Sequence, residues 1–417
     1  MQTEIAIVGA GPAGLTAAIA SAGAGAKTIV IEANPSAGRK LLRTGRGRCN
    51  LTHAGSIEQF IRAYGPFGRF LSHSLHEFSP RDLRRYLAEH ALQTRVEDNG
   101  CIFPASDRAS DVLGVLIRDS EKHAVRFLFG RKVSAVEKTG DGFVLRTYDM
   151  EVAARSLVIA TGGVTWPQTG STGDGYDFAK ALGHKAVEPR AALTTLITTE
   201  GWPGQLQGVG VENVTITARA GNRRFRTAGA MMFTENGIGG PAVFDLSRLI
   251  TDFLGGGEPL IKVNVDLLAD YSHEQLEDKI ISDCAKHPKK RLENIVGAFL
   301  PRSLALNLTA RIAPTSSIAA AQLSKSDRRR LIGLLKGLEL SIRKTGPISQ
   351  ATVTRGGVST EQINRLSMES RICPGLFFAG EVINVDGPCG GYNLQIAFST
   401  GHLAGKMAAE SARASRD

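Results

Sequence analysis

Apolar residues in this chain come in short unbroken runs that stop on glycine. Ile5-Ala6-Ile7-Val8 leads into Gly9-Ala10-Gly11-Pro12-Ala13-Gly14; a small-residue stretch follows, and Thr28-Ile29-Val30-Ile31 ends on Glu32. Two such runs around a glycine turn predict strand, helix and strand, the βαβ unit of a parallel sheet. The same texture continues to about residue 190, with strands predicted at 124–129, 132–136, 142–147 and 156–160. Gly140-Asp141-Gly142 reads as a hairpin turn. Leu157-Val158-Ile159-Ala160 before Thr161-Gly162-Gly163 reads as a parallel strand stopped by glycines.

From roughly 191 to 265 short β-like stretches (214–218, 260–265) alternate with glycine turns. From about 272 to 343 the pattern is helical, punctuated by Pro288, Pro301 and Pro314. After Gly346 strands and glycines return. The expected fold is α/β: a Rossmann-type domain with a parallel sheet, residues 1–190 and 346–417, split by an insertion that is β-rich over 191–271 and helical over 272–345.

Bulk numbers narrow the class. At 417 residues the chain is too long for one compact core. No apolar run reaches the roughly 18 residues that span a bilayer, and the first strand begins almost at the start, leaving no room for a signal peptide. Five cysteines (Cys49, Cys101, Cys284, Cys373, Cys389) are scattered without Cys-x-x-Cys or Cys/His spacing, which points to a reducing cytoplasm and to no metal site. The net charge of +10 is read first as a solvated surface that helps draw in an anionic cofactor or substrate. The basic runs 289–291 and 328–330 fall in segments predicted helical and are assigned to outer faces. A nucleic-acid surface is the alternative.

The first glycine turn carries chemistry. Gly9 makes the tight turn, Gly11 lets the backbone approach a pyrophosphate, and Gly14 permits close helix–strand packing. Pro12 and Ala13 open a helix whose N-terminus faces the phosphates with free N–H groups. Glu32, with Ala33 beside it, stands where a carboxylate accepts ribose hydroxyls. With 47 glycines in 417 residues, this triple arises by chance roughly 0.6 times in such a chain. The flanking strands and the acid therefore carry the assignment of a bound adenine dinucleotide. Several other Gly-x-Gly pairs (45/47, 173/175, 208/210 and 237/239 among them) lack the third glycine.

A second block lies late in the chain: 377–381 reads as a buried strand and turn, followed by Asp386, Gly387 and Gly390-Gly391-Tyr392-Asn393-Leu394-Gln395 before a helix. A double glycine at a helix start brings backbone N–H groups up to a flat ligand. A flavin needs that at its N1–C2=O edge, which becomes negative on reduction. A helix dipole contributes about 1 to 2 kcal/mol there, or roughly 20 to 45 mV for a two-electron couple. This tunes a flavin without choosing between oxidase and reductase.

Ala160-Thr161-Gly162-Gly163 with Ala379-Gly380-Glu381 and Asp386-Gly387 resembles the two-part FAD site of Rossmann-type flavoproteins. Four longer stretches, 38–52, 233–241, 354–358 and 385–393, resemble a bacterial family of flavoproteins with an inserted domain, the NAD(P)/FAD-dependent oxidoreductases. Ser171-Thr172-Gly173-Asp174-Gly175 is similar to a segment of fumarate-reductase-type flavoproteins. The resemblance implies FAD and redox chemistry; some members carry the label aminoacetone oxidase and others reduce steroid-like enones. Members often have His-Tyr and Ser where this chain has Glu235-Asn236 and Gly239, which points to a different substrate preference.

The expected cofactor residues are thus Gly9, Gly11, Pro12, Ala13, Gly14, Glu32, Ala33, Lys40, Arg46, Arg48, Cys49, Asn50, Val133, Thr161, Gly162, Gly163, Asp174, Gly380, Glu381, Asp386, Gly391, Tyr392, Asn393 and Leu394. Lys40, Arg46 and Arg48 bring cations to the phosphates or the reduced ring. Candidate acid/base groups are Tyr392, Glu235 and His53. The expected function is hydride transfer between flavin N5 and a small organic substrate in a cleft beside the insert. No second fingerprint marks a nicotinamide domain, so NAD(P)H enters as a transient co-substrate. Two alternatives stay open: an amine or hydroxyl oxidase using oxygen, and an RNA-modifying or RNA-binding flavoprotein.

Overall fold

The computed structural model describes residues 1–140, 142–254, 260–312 and 318–414. It divides into two compact units, Met1–Arg190 with Ile348–Asp417, and Ala191–Pro347.

The first unit is built on a seven-stranded sheet. Strand β1 (Gln2–Val8) lies at its centre, fully buried from Glu4 onward. It pairs in parallel with β2 (Thr28–Glu32), matching Val8 with Ile31, and with the strand Glu151–Ile159, matching Val8 with Ile159. Helix α1 (Pro12–Gly23) makes the crossover from β1 to β2. Arg126–Phe129 extends the parallel set beyond β2. The nine-residue strand Glu151–Ile159 does two jobs along one edge. Its first half takes the antiparallel hairpin strand Gly142–Arg146, while its last three residues pair in parallel with Leu376–Phe378. Residues about 220 positions apart in sequence thereby end their strands side by side, as a ligand site at strand C-termini requires. The final helix, Tyr392–Ala414, packs on α1 through small residues: a Cβ on Gly401 or Gly405 would fall 2.3 or 2.1 Å from the carbonyl oxygens of Ala13 or Ala17.

The second unit is a closed six-stranded barrel in the order Leu196–Thr198, Gly237–Gly239, Arg223–Thr234, Gly210–Ala220, Ile261–Asp266, Leu338–Thr345. Its strands alternate buried and exposed positions, as in Ile261–Asp266, so Ile261, Val263 and Val265 fill the interior. Helices His273–Lys286, Arg302–Ala310 and Lys325–Lys336 contribute Leu276, Ile280, Leu304, Leu308, Leu331 and Leu335 to the same apolar cluster.

The strand texture of 191–271 and the helical texture of 272–345 therefore share one core. Helix ends at Lys336, and Leu338-Glu339-Leu340-Ser341-Ile342 alternates with period two as the closing strand, short of the helical limit expected near 343. Lys289, Lys290 and Arg291, expected on a helix, lie exposed between two helices, after Pro288. The strand expected at 132–136 runs instead over Ala135–Thr139. Residues 132–134 lie outside any strand. Thr139 pairs with Gly142 across the expected hairpin, whose Asp141 lies outside the described residues, as does Pro314.

Candidate active site

At the C-terminal ends of β1 and β2 the first glycine turn sits under strict steric control at one end and none at the other. A Cβ on Gly14 would fall 1.9 Å from the Gly9 carbonyl oxygen, so only glycine lets α1 close onto the turn. Gly11 is different. Its φ of −78° suits any residue, and a Cβ there meets nothing within 4 Å. The protein itself does not demand glycine at 11, and the space in front of the helix N-terminus is left open. Pro12 opens α1, and Ala13 is buried behind it.

Beside this turn a shallow cleft is lined by Gly9, Glu32, Ala33, Arg131, Val133, Thr161 and Asp174, among others. The Glu32 carboxylate is aimed by three N–H groups: Oε2 accepts from Ala10 N (2.8 Å), and Oε1 from Asn34 N (2.8 Å) and Asn34 Nδ2 (2.7 Å). Oε2 keeps capacity for a ribose hydroxyl. Thr161 has a buried hydroxyl with no hydrogen-bond partner among the described residues. An orphaned buried hydroxyl, an aimed carboxylate and an unfilled glycine cradle fit the adenosine and pyrophosphate of FAD. Asp174, the first residue of helix Asp174–Ala181, is paired with Lys132 at 3.1 Å.

The cations expected at the phosphates are mostly engaged within the protein. Lys40 Nζ donates to Thr165 Oγ1 (2.6 Å) and Glu381 Oε2 (2.7 Å). Glu381 Oε1 accepts from Thr354 N (2.8 Å) and Thr165 Oγ1 (3.2 Å), and Gly163 has no room for a side chain against this cluster. Arg48 pairs with Glu97 (2.7 Å) and lies 4.0 Å over the Phe103 ring. Arg46 is exposed, at φ 59°, without an ion-pair partner among the described residues. Cys49 is fully buried, and burial pushes its thiol up to about 12. A thiol so held is inert as a nucleophile or disulfide partner.

Asn50 reaches the late motif. With its amide nitrogen facing the carbonyls of Thr52 (3.1 Å) and Ile102 (3.3 Å), its oxygen accepts from Gly391 N (3.2 Å). Gly391, at φ 94°, sits so close to Thr52 that a Cβ would be 2.4 Å from the Thr52 carbonyl oxygen. Gly380 N donates to Thr400 Oγ1 (2.9 Å). Asp386 is fully buried and paired with Arg355 at 2.8 Å. Asn393 staples the preceding loop, accepting from Gly387 N (2.9 Å) and donating to the Gly387 and Pro388 carbonyls (3.0 and 3.2 Å). Leu394 packs against the main core.

Two of the three candidate acid/base groups meet in the first unit. The His53 ring stacks on Tyr392 with centroids 5.0 Å apart, and Phe60 and Tyr64 border the same tyrosine at 4.8 and 5.8 Å. Both His53 nitrogens face backbone carbonyls, of Ala54 (2.7 Å) and Asn99 (3.0 Å). The Tyr64 hydroxyl donates to the Tyr392 carbonyl at 2.9 Å, and burial raises its pKa. Glu235 lies in the other unit, exposed in the turn between barrel strands Arg223–Thr234 and Gly237–Gly239. Thr165, Thr354 and Arg355 went unselected in the sequence reading. The only signal was their place in or beside quoted motifs, because partners 27 to 216 residues away leave no local trace.

This arrangement is that of an FAD-binding flavoenzyme: a Rossmann sheet with its glycine turn and a late strand and helix closing on the same edge. Residues 3–407 match the HI0933-like protein Rossmann domain, and the chain belongs to that family. It is 32% identical over 412 residues, 98% of this chain and 100% of the other, to the 3-dehydro-bile acid delta(4,6)-reductase of Clostridium scindens. It is 32% identical over 397 residues, 94% of this chain and 95% of the other, to the ribosomal RNA dihydrouridine synthase of Escherichia coli. Among solved structures, the 3-ketosteroid delta1-dehydrogenase of Sterolibacterium denitrificans superposes with a TM-score of 0.53 at 13% identity, covering 98% of this chain and 100% of that one. The chain is an FAD-dependent oxidoreductase in kind, and among its described residues no helix is long and apolar enough to cross a membrane.

Proposed function

We propose that this protein reduces a carbon–carbon double bond conjugated with a carbonyl, using NAD(P)H as reductant. The observation that carries the reading is chemical: the reactions named for two relatives, each 32% identical over nearly the whole chain, saturate the same bond type. A 3-keto-4,6-diene and a uracil ring both present a C=C bond polarised by a carbonyl. When bound, FAD supplies N5 as the atom that gives or takes the hydride.

The chain's own residues do the rest. Gly11 and the N-terminus of α1 hold the pyrophosphate, Glu32 the ribose and Thr161 a polar atom of the same moiety. Gly391, fixed by Asn50, sets the start of the last helix against the ring edge where charge grows on reduction. Tyr392, seated between His53 and Phe60, supplies the proton to the carbon beside the carbonyl. Anaerobic mixing with NADPH and then NADH tests the reading: the visible flavin band bleaches, and a 3-keto-4-ene steroid or a uridine-containing RNA restores it. A band untouched by either nicotinamide sinks it in favour of an oxidase reduced by its own substrate.

A second form of the reading fixes the acceptor as uracil within RNA. It draws support from the relative of that name and from the charge pattern of the barrel.

A further inference from the structure

We propose that the barrel hairpin Gly210–Ala220/Arg223–Thr234 is a docking surface for the phosphodiester backbone of RNA. The hairpin is unusual in its charges. Glu212 is the hairpin's one acid, near the end far from the tip; from there to Glu235 the chain holds four arginines, Arg219, Arg223, Arg224 and Arg226, and no aspartate or glutamate. The register sets Arg219 directly opposite Arg224, and Thr217 opposite Arg226. Like charges directly across an antiparallel pair repel and destabilise the sheet, so a sequence selected for barrel stability alone would place an acid at one of these positions.

All four arginines are exposed, and none has an ion-pair partner among the described residues. The nearby outward-facing Lys262, by contrast, is matched with Glu339 at 2.9 Å. Along a strand every second residue shares a face, so Arg224 and Arg226 point the same way about 6.5 Å apart. Arg219 joins them from the facing strand at about 5 Å from Arg224. Three guanidiniums on one face, each able to take a phosphate bidentately, make a track for a charged backbone rather than a pocket for one ion.

The neighbours favour nucleic acid over a lipid surface. Thr215 and Thr217 share this face and offer hydroxyls, and Gly221 and Asn222 form the tip. Met232, at the end of the hairpin far from the arginines, is its one exposed large apolar residue, and no tryptophan, phenylalanine or leucine joins it to enter a bilayer interface. The choice of RNA over DNA rests on the uracil form of the proposed function.

The test is fluorescence anisotropy of a labelled, uridine-containing RNA hairpin with the full-length flavoprotein, titrated across a range of KCl. Wild type binds with an affinity that falls steeply with salt. The variant R219Q/R224Q/R226Q binds at least about tenfold more weakly at low salt, and its log–log salt slope drops by about two, near 0.7 to 0.9 for each lost phosphate contact. Its flavin spectrum and thermal midpoint stay at wild-type values, and the control K325Q/R329Q, at two exposed positions of helix Lys325–Lys336, binds within twofold of wild type. Equal binding by the triple variant overturns the proposal. So does a wild type that ignores RNA but binds vesicles containing phosphatidylserine. RNA that is bound through these arginines yet never acquires dihydrouridine leaves the docking surface standing and rejects the uracil acceptor.

Discussion

Lys40 Nζ and Glu381 Oε2 stand 2.7 Å apart although 341 residues separate them in the chain. The same carboxylate accepts from Thr354 N and from the Thr165 hydroxyl. Three motif stretches, around 40, 354 and 381, are thus tied by one side chain, with the 161–163 turn held against it. The assignment of Lys40 to cofactor phosphates and its observed place in this network make different predictions. Hydrogen bonds to charged groups contribute about 1.5–3 kcal/mol, less for a pair about one-fifth exposed. Lys40→Gln should cost about 1–2 kcal/mol in apo and holo protein alike. A loss confined to the holo form, measured by urea unfolding with and without FAD, would return Lys40 to the cofactor.

Gly11 and Gly14 separate ligand from fold. Gly14→Ala forces a Cβ to within 1.9 Å of a backbone oxygen and should destabilise the apo protein by about 1–3 kcal/mol or more. Gly11→Ala meets only open space, so apo stability should stay within about 1 kcal/mol, the range of an N-cap change. FAD affinity should nonetheless fall at least about tenfold. Flavin fluorescence titration of the two apo variants decides it, and unchanged affinity in Gly11→Ala removes the pyrophosphate from that turn.

How much of this was legible beforehand follows from range. The β1–α1–β2 unit was readable because its strands, glycines and Glu32 lie within 32 residues and each has a local steric or polar reason. The strand at 135–139 was misplaced by three residues because Val133, between Lys132 and Ser134, reads as one apolar position of an alternating stretch, whereas it lines the cleft instead. Leu338–Thr345 was hidden behind a helical stretch; its partners Leu196–Thr198 and Ile261–Asp266 lie far away in sequence and give no local signal of closure. Arg48 was assigned to the phosphates or the reduced ring, yet Glu97 and Phe103 claim it. Patterns report neighbours in sequence, and charge pairing across folds does not follow them.

Cys49 gives an alkaline signature. Burial raises its thiol from 9.0 to about 12, so the native state holds this proton more tightly than the unfolded chain. The sign follows: the contribution is fully present below pH 9 and is lost as pH rises from 9 toward 12. Between pH 8 and 10 wild type should lose about 1.3 kcal/mol more than Cys49→Ala, at 1.36 kcal/mol per pKa unit. Paired urea titrations at the two pH values measure the difference. Parallel losses in both proteins would mean that Cys49 is not held neutral.

Tyr392 and His53 are stacked, yet the structure gives them unequal prospects as proton donors. His53 has both nitrogens directed at backbone carbonyls, so neither is presented to a substrate; its ring is a wall for Tyr392. Tyr392 begins the last helix directly after Gly391, where the ring edge of a flavin is expected. General acid catalysis contributes typically 10²–10⁴-fold. Tyr392→Phe should therefore lower enone or uracil reduction by about that factor while leaving NADPH-driven bleaching of the flavin unchanged, because hydride arrival at the ring needs no proton from this residue. His53→Phe keeps an aromatic wall and should hold turnover within about threefold, whereas His53→Ala removes the stack and should lower it through displacement of the tyrosine. Stopped-flow measurement of the two half-reactions separates these cases. If Tyr392→Phe slows the reductive half-reaction and spares the oxidative one, the tyrosine positions the flavin or the nicotinamide, and the proton comes from another group.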